Sequence, residues 1–405
     1  MKRELVVTGI GVISSIGQGK ASFTSALLGG LSAFGIMQRA GRQQDSTYIG
    51  AEIPEVVFLP ANGQRSMRVS SLSAQAALVV LQEAWTEARL SEVDPRRIGL
   101  IVGGSNVQQR ELAQIHESYR TRELFLRPTY ALSFMDTDLC GFCSAQFGIR
   151  GLAYTVGGAS ASGQLAIIQA AQAILANQVD VCIALGALMD LSHWECRALR
   201  AIGAMGSDRY ANEPSLACRP FDRGHDGFIF GEACGAVVIE SRDSSQNRGL
   251  KPYAVLPGWG LAMDANRNPD PSLEGETEAI QKALHASELR STQIDYVNPH
   301  GTGSIAGDET ELTALRAHGL TNAYLNATKS LIGHGLSAAG TVEVIATLLQ
   351  MQAGELHPTR NLEDPIDPTL NWVRETSVTH TIENALTLSM GFGGINTALC
   401  WQRPH

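Results

Sequence analysis

Residues 153–187 read AYTVGGASASGQLAIIQAAQAILANQVDVCIALGA, and this stretch decides the fold class. A β-like run meets two glycines, a helix-forming segment follows, and a second apolar run closes the unit. The order strand, turn, helix, strand is typical of layered α/β proteins. Ser160 would lie at the sharp turn near the helix N-terminus, where unpaired backbone N–H groups favour an oxyanion or an activated nucleophile.

The serines of this turn also have a plainer interpretation. Ser160 or Ser162 would act as the N-cap of the helix, which is the commoner role of a serine at such a place. A hydrolase elbow is poorly supported, because residue 162 is serine and the segment is therefore not G-x-S-x-G. From these residues alone, a catalytic role and a helix-capping role of the serines are both possible interpretations.

Strand-like and helix-like runs alternate on both sides of this stretch, as expected for a layered α/β architecture. The remaining elements are predicted as strands within 5–13, 97–104, 251–263, 293–303 and 385–401, and as helices within 70–90, 274–289, 308–318 and 337–354. Because the plan repeats, we predict two related halves. The first, 1–250, carries Ser160, and the second, 251–405, carries His300 and His334.

Composition indicates a globular chain with a large core. The 405 residues are 44% hydrophobic and 18% charged, and the formal net charge of -9 predicts no general attraction to nucleic acid or anionic lipid. No apolar run reaches the roughly 20 residues that span a bilayer. The first apolar run is interrupted by Gly9 and Gly11, as in a buried strand and unlike a signal peptide. Residues 33–69 and 357–368 are predicted as surface excursions.

Seven scattered cysteines, an odd number, fit reduced thiols in a cytoplasmic protein. Cys140 and Cys143 form a CxxC pair, but one pair without a second pair or a histidine couple is weak support for zinc or redox chemistry. We therefore predict two semi-buried thiols and no bound metal, because a free cysteine packs as a small hydrophobic residue.

Two histidines lie in glycine-flanked loops. His300 follows an apolar strand and precedes a Gly-Thr-Gly loop that contains Thr302. His334 lies between two glycines, five residues after Lys329 and nine before Glu343. Each histidine alone is about as often structural as catalytic, but the two together are suited to donate Nε2–H to one developing oxyanion.

The glycine-rich turn LSMGFGGIN, residues 388–396, completes the set of candidate features. Its glycines permit close backbone approach. Phe392 is placed to wall a pocket, and the N–H groups of the turn, including that of Gly393, are candidates for an oxyanion hole.

Together these segments resemble the β-ketoacyl-acyl carrier protein synthases almost from end to end. The resemblance is carried, in the family's order and spacing, by VVTGIGVISSIG (6–17), PFDRGHDGFIFGEACGAVVIE (220–240), VNPHGTGSIAGDETE (297–311), NATKSLIGHGLSAAGTVE (326–343) and MGFGGIN (390–396). It implies a five-layered αβαβα thiolase-like fold, usually a homodimer. The substrates of such enzymes are acyl thioesters on the phosphopantetheine of an acyl carrier protein, and no cofactor bound by the enzyme itself is implied.

The resemblance also assigns roles to the histidine motifs. His300 and His334 occupy the two catalytic histidine positions, Lys329 occupies the lysine position, and Glu343 is its expected ionic partner. In the first motif Thr302 is expected in the substrate pocket.

Two further positions follow from the same resemblance. Asp308 is expected to support the first histidine loop. Met390 stands where many relatives have the first phenylalanine of N-S-F-G-F-G-G, an aromatic residue that gates the acyl site. Its replacement argues against ordinary long-chain elongation, and a flexible thioether is able to fill the gap.

The family's T-A-C-x-S-G element aligns with residues 158–163, so Ser160 stands where the family has its nucleophilic cysteine. A free thiol has a pKa of about 8.5, whereas a serine hydroxyl is far less acidic and its ester is a poorer acyl donor than a thioester. Loading and condensation are both expected to suffer. Decarboxylation of a malonyl thioester needs no covalent intermediate, only donors that stabilise an enolate oxygen.

Serine-for-cysteine members with the same VGGASASGQ segment resemble the decarboxylases of polyketide β-branching cassettes. There the acetyl-carrier protein passes to a partner that is similar to HMG-CoA synthase. We predict that role, malonyl to acetyl on a carrier protein. Two other functions stay open: a serine-dependent acyltransferase or condensing enzyme in which His300 deprotonates Ser160, and a non-catalytic subunit like the chain-length factors, which generally lack the two histidines.

A carrier protein is acidic, so its docking site should be basic despite the negative net charge. Arg65 and Arg68 form one candidate patch. Arg120, Arg122 and Arg127 form the other.

Overall fold

The computed structural model describes residues 3–44, 46–57 and 70–404. Ten strands build the central sheets: β1 (Leu5–Ser14), β2 (Ile98–Gly103), β3 (Ala153–Val156), β4 (Val181–Gly186), β5 (Ala233–Ser241), β6 (Ala254–Met263), β7 (Tyr296–Asn298), β8 (Tyr324–Leu325), β9 (Asn384–Gly391) and β10 (Ile395–Gln402). Six helices pack on them: α1 (Leu72–Glu87), α2 (Thr137–Phe147), α3 (Ser162–Leu175), α4 (Leu273–Ser287), α5 (Ile305–Ala317) and α6 (Ala339–Ala353). Each strand and helix predicted above is present.

Shorter helices and strands lie outside this set of ten strands and six helices. The helices are Lys20–Leu28, Gln109–Tyr119, Tyr130–Ser133, His193–Ala201, Arg242–Asn247 and Lys329–Ile332. The short strands are Gly17–Gln18, Gly35–Ile36, Ile49–Ala51, Phe230–Gly231, Glu355–Leu356, Asn371–Trp372 and Val378–Thr379.

The strand order repeats between the two parts of the chain. In the first part the order is β3-β2-β4-β5-β1, and in the second it is β8-β7-β9-β10-β6. Each set begins with two parallel pairings and continues with two antiparallel ones. A short antiparallel pairing of β1 with β6 joins the sets. Two related halves are therefore present, and the boundary between residues 250 and 251 stays a prediction.

Helices fill the layers between and outside the sheets. Helices α3 and α6 lie at the centre, and every residue of α6 from Ala339 to Met351 is buried. A helix that is apolar on all faces is expected in such a position. Helices α1 and α2 cover the outer face of the first half, and α4 and α5 cover that of the second. The result is the predicted five-layered αβαβα arrangement.

Small residues let the central helix α3 approach its neighbours. A Cβ on Gly103, at the end of β2, would lie 2.3 Å from the carbonyl oxygen of Ser162. A Cβ on Gly163 would lie 2.5 Å from Oγ1 of Thr341 in α6. Because neither contact tolerates a side chain, these glycines set the position of the turn at the start of α3.

Both predicted surface excursions are partly wrong. In the first, Arg42 is fully buried and forms ion pairs with Glu52, Asp190 and Glu232. In the second, His357 is fully buried. Mixed composition and prolines suggested surface segments, but a buried charge is tolerated when opposite charges surround it, and the His357 ring is buried with Thr328 Oγ1 and the Pro358 carbonyl as hydrogen-bond partners.

The two thiols of the CxxC pair, Cys140 and Cys143, are buried in α2, and burial raises the pKa of both. The first apolar run forms the fully buried strand β1. Among the helices of residues 3–44, 46–57 and 70–404, none has the length and apolar character needed to cross a membrane.

Candidate active site

Ser160 lies in a one-turn 3₁₀ segment, Ala159–Ala161, that leads into α3. Ala159 has a φ of 46°, in the left-handed region that non-glycine residues rarely adopt. Ser162 takes the local structural role, since its Oγ accepts a hydrogen bond from the Gly158 N–H (2.9 Å) and donates one to the Ala159 carbonyl (2.7 Å). Ser160 caps nothing, so of the two interpretations of this turn the geometry favours the functional one for Ser160.

His334 is the histidine that meets this serine. Its Nε2 lies 2.9 Å from Ser160 Oγ, while its Nδ1 accepts a hydrogen bond from the backbone N–H of Leu336 (3.3 Å). A ring nitrogen that accepts carries no proton, so in the neutral ring the proton is on Nε2. His334 therefore donates to Ser160 and does not act as its base.

His300 is fixed in the same tautomer by a different partner. The Lys329 ammonium lies 3.3 Å from His300 Nδ1 and also donates to the carbonyl oxygen of His300 and to Glu343. Because the ammonium has only donors, His300 Nδ1 must accept and Nε2 carries the proton. The two rings stand edge to face with centroids 5.4 Å apart.

Burial controls the charges at this site. It lowers the pKa of His300 and of His334 well below the ordinary value, and the nearby Lys329 ammonium lowers both further. Both imidazoles are therefore neutral at neutral pH. Burial also raises the pKa of Glu343 to about 7, although the Lys329 ammonium acts in the opposite direction.

Two carboxylates hold the loop that carries His300. Glu311 accepts the backbone N–H groups of His300 (2.6 Å) and Gly301 (2.8 Å). Asp308 accepts the N–H of Gly303 (3.0 Å) and the N–H of Phe221 (2.6 Å). Asp308 thus has contacts that fit its predicted supporting role, and Glu311 has a similar role that the sequence analysis missed.

A cavity of about 600 Å³ opens from these residues towards the surface. The buried Ser160 and His334 and the half-buried His300 line it together, and the Phe228 and His334 rings are nearly perpendicular with centroids 5.1 Å apart. Exposed residues, among them Asp270 and Phe392, form its rim.

Of the other four residues predicted in the pocket, three line the cavity and one does not. Thr302, Met390 and Phe392 line the cavity. Gly393 is exposed and is not part of the wall, which includes Gly391 instead. The reason is the turn itself: a Cβ on Gly391 would lie 2.2 Å from the Gly158 carbonyl oxygen, so Gly391 is the glycine that meets the Ser160 turn.

This arrangement suits stabilisation of one negative oxygen. Two neutral imidazoles present N–H donors at the buried end of a largely apolar cavity, where hydrogen bonds to a developing charge are strong. The serine hydroxyl sits beside them with a donor, not a base, as its partner. Within the residues that the structure describes, no three His, Cys, Asp or Glu side chains are grouped as a metal ion would require.

Family comparisons agree with the geometry. Residues 2–245 match the model of the beta-ketoacyl synthase N-terminal domain, and residues 253–363 match that of the C-terminal domain. The chain belongs to the beta-ketoacyl synthase family. The thiolase-like fold and the resemblance drawn from the motifs are thereby confirmed.

Individual relatives of this beta-ketoacyl synthase refine the comparison. The chain is 61% identical over 399 residues to the polyketide biosynthesis malonyl-ACP decarboxylase PksF of Bacillus subtilis, which covers 98% of this chain and 96% of that protein. It is 29% identical to 3-oxoacyl-[acyl-carrier-protein] synthase 2 of Coxiella burnetii, over 99% of both chains. Among solved structures, the ishigamide ketosynthase/chain length factor superposes over the full length of both chains with a TM-score of 0.88 at 25% identity.

Proposed function

We propose that this protein decarboxylates malonyl-ACP to acetyl-ACP in polyketide biosynthesis. The observation that carries the proposal is the pair of Nε2–H donors of His300 and His334, beside a serine that replaces the family's cysteine. The high identity to a protein named as a malonyl-ACP decarboxylase supports the same activity.

The reaction follows from the donors. The thioester oxygen of the malonyl group accepts hydrogen bonds from the two imidazoles, and the bond to the carboxylate carbon breaks. Its electron pair moves into the enolate, whose oxygen the donors stabilise, and CO2 leaves. The carbon then takes up one proton, so malonyl thioester and a proton give acetyl thioester and CO2. The enzyme itself contributes no cofactor in this scheme, and the only prosthetic group is the carrier's phosphopantetheine.

The two rival functions are less well supported. A serine acyltransferase needs a base at Ser160, but His334 contacts that hydroxyl as a donor, and the predicted base His300 has its Nδ1 facing Lys329. A non-catalytic subunit has no use for two histidines that are locked in one tautomer. We therefore rank decarboxylation first.

Carrier docking belongs to the same proposal. Arg122 and Arg127 line a polar surface groove of about 750 Å³ together with Arg39 and Arg110, and Arg120 is exposed nearby. Arg39, Arg110 and Arg127 already pair with Glu232, Asp190 and Glu111, which leaves Arg122 as the main candidate contact for an acidic carrier protein. The other candidate patch, Arg65 and Arg68, lies outside the described residues.

A homodimer is part of the proposal as well. Strand β3 is at the edge of its sheet, and Ala153 and Tyr154 in it are exposed. Nearby in sequence, Phe125 and Phe134 are also exposed. An uncovered strand edge with exposed aromatic residues fits pairing with a second copy.

The pathway context completes the proposal. Acetyl-ACP would serve an HMG-CoA-synthase-like partner in a β-branching cassette. The cysteines of the described chain are buried and form no disulfides, as expected of a protein in the reducing cytoplasm.

One experiment separates the three functions. The protein is incubated with malonyl-ACP alone, and the intact masses of the carrier and of the enzyme are followed with time. A carrier that loses CO2 and becomes acetyl-ACP supports decarboxylation. A stably acylated Ser160 would instead support the acyltransferase, and an unchanged carrier would support the non-catalytic subunit.

A further inference from the structure

Glu276 is an acid in the wall of the catalytic cavity that the scheme above does not use. It lies in the first turn of α4, its side chain is buried (2% exposed), and it lines the cavity. Its Oε2 has no hydrogen-bond partner among the residues that the structure describes. A buried polar atom without a partner costs free energy, so its presence in a substrate cavity points to a ligand group that completes it.

Two neighbours place Glu276 in the wall of the cavity. The preceding residue, Gly275, touches the closing glycine turn so closely that a Cβ on it would lie 2.4 Å from Asn396 Nδ2. On the other side, Glu276 interacts electrostatically with Glu311, which holds the His300 backbone. The cavity that Glu276 lines also contains Ser160, His300 and His334, so a substrate arm that fills the cavity comes within reach of Glu276.

The charges around Glu276 decide its protonation. The groups that act on it are the carboxylates of Glu311, Asp264 and Asp308, and no Lys or Arg side chain is among the cavity-lining residues of the described chain. Burial, with the help of these carboxylates, raises the pKa of Glu276 well above its ordinary value. The protonated form of Glu276, which offers one O–H donor, is therefore favoured over the carboxylate.

The same charges restrict the ligand group. A phosphate beside Glu276 would lie close to the carboxyl groups of Glu311, Asp264 and Asp308, which disfavours an anionic group at this point of the wall. A neutral carbonyl oxygen accepts a hydrogen bond without that penalty. The pantetheine arm contains two amide carbonyls between its phosphate and its thioester.

We propose that Glu276 is a substrate-positioning residue whose O–H donates a hydrogen bond to the outer amide carbonyl of the pantetheine arm. The outer amide is chosen because Glu276 shares a helix turn with Ser272, which follows the exposed rim segment 268–270. The inference rests on the proposed function, since the carrier-bound substrate is what brings such an arm into the cavity.

The test measures binding, so that it does not depend on turnover. Dissociation constants for pantetheine and for N-acetylcysteamine, which lacks the outer amide, are measured by ligand-observed NMR for the wild type, Glu276→Gln and Glu276→Met. Glutamine keeps a neutral donor, whereas methionine keeps the length and loses the donor. Glu274→Met, an exposed position in the same turn, is the matched control, and thermal melts verify that each variant is folded.

Loss of one hydrogen bond should weaken binding about 2- to 10-fold. We expect that loss only for pantetheine and only in Glu276→Met. Pantetheine binding that is equal in wild type and Glu276→Met would overturn the inference, as would a Glu276→Gln variant that is as weak as Glu276→Met. Weaker N-acetylcysteamine binding in Glu276→Met would also overturn it, because it would indicate a collapsed cavity. A wild type that binds pantetheine through Glu276 but forms no acetyl-ACP would refute the proposed function alone.

Discussion

Replacement of Ser160 and of His334 by alanine should have very different effects on decarboxylation, although the two side chains touch. The His334 Nε2–H is one of two donors to the enolate oxygen. Removal of one donor from an oxyanion hole typically costs about 100- to 1,000-fold in rate, or about 2.7–4 kcal/mol. His334→Ala should lose activity in that range.

Ser160→Ala should have only a small effect on the decarboxylation rate. In the free enzyme the serine oxygen accepts the His334 Nε2–H at 2.9 Å, and the thioester oxygen must displace it before it can use that donor. The net value of such a hydrogen bond is about 0.5–1.5 kcal/mol. Removal of the competing oxygen should therefore change the rate by no more than about 10-fold in either direction.

The assay is the initial rate of acetyl-ACP formation, read from the intact mass of the carrier at saturating malonyl-ACP. His285→Ala is the matched control, because His285 is exposed on α4 and is not among the residues that line the cavity. Melting temperatures show whether a variant has merely lost stability. If Ser160→Ala and His334→Ala lose activity to the same extent, the hydroxyl takes part directly and the donor assignment is wrong.

Four further outcomes follow from the same contacts. Ser160→Cys should become acylated by an acyl-carrier protein, visible as added enzyme mass, because the start of α3 lowers a thiol pKa. The imidazoles of His300 and His334 should stay neutral from pH 6 to pH 8, seen as nearly constant NMR shifts of the two rings: a histidine with the ordinary pKa of about 6.5 would change its neutral fraction about fourfold over that range, whereas burial lowers the pKa of both rings well below it. Glu311→Ala should lower the free energy of unfolding, measured with urea, by about 2–5 kcal/mol, since two backbone N–H groups lose their acceptor. Tyr154→Asp should convert the proposed dimer to monomers in light scattering, because like charges would face each other across the paired edges.

Most of the fold was predictable, because each strand and helix of the frame has a local pattern. Strand β1 is a mainly apolar run that is buried throughout, and α6 is rich in apolar residues and buried on every face from Ala339 to Met351. The clearest failure concerns a buried charge. Arg42 is charged yet fully buried, and a single sequence does not reveal that Glu52, Asp190 and Glu232 converge on it from distant parts of the chain.

The active site likewise contains residues that were predictable from the sequence and contacts that were not. His300 and His334 were predicted from glycine-flanked loops and Lys329 from the family resemblance, and the structure brings all three together. The partner of Ser160 was not predictable, since the rival function named His300 and the structure places His334 at the serine. Glu311 carries a signal that was available: it follows Asp308 by three residues on α5, so both carboxylates lie on one helix face.

The tautomers explain why the serine replacement is compatible with catalysis. Lys329 occupies Nδ1 of one ring and the Leu336 N–H occupies Nδ1 of the other, so neither histidine is free to take a proton through that nitrogen. A pair of rings held in this way serves an oxyanion and is unsuited to activate a hydroxyl. The reaction that survives the loss of the thiol is therefore the one whose charge ends on an oxygen, and loss of CO2 from a malonyl thioester meets that condition.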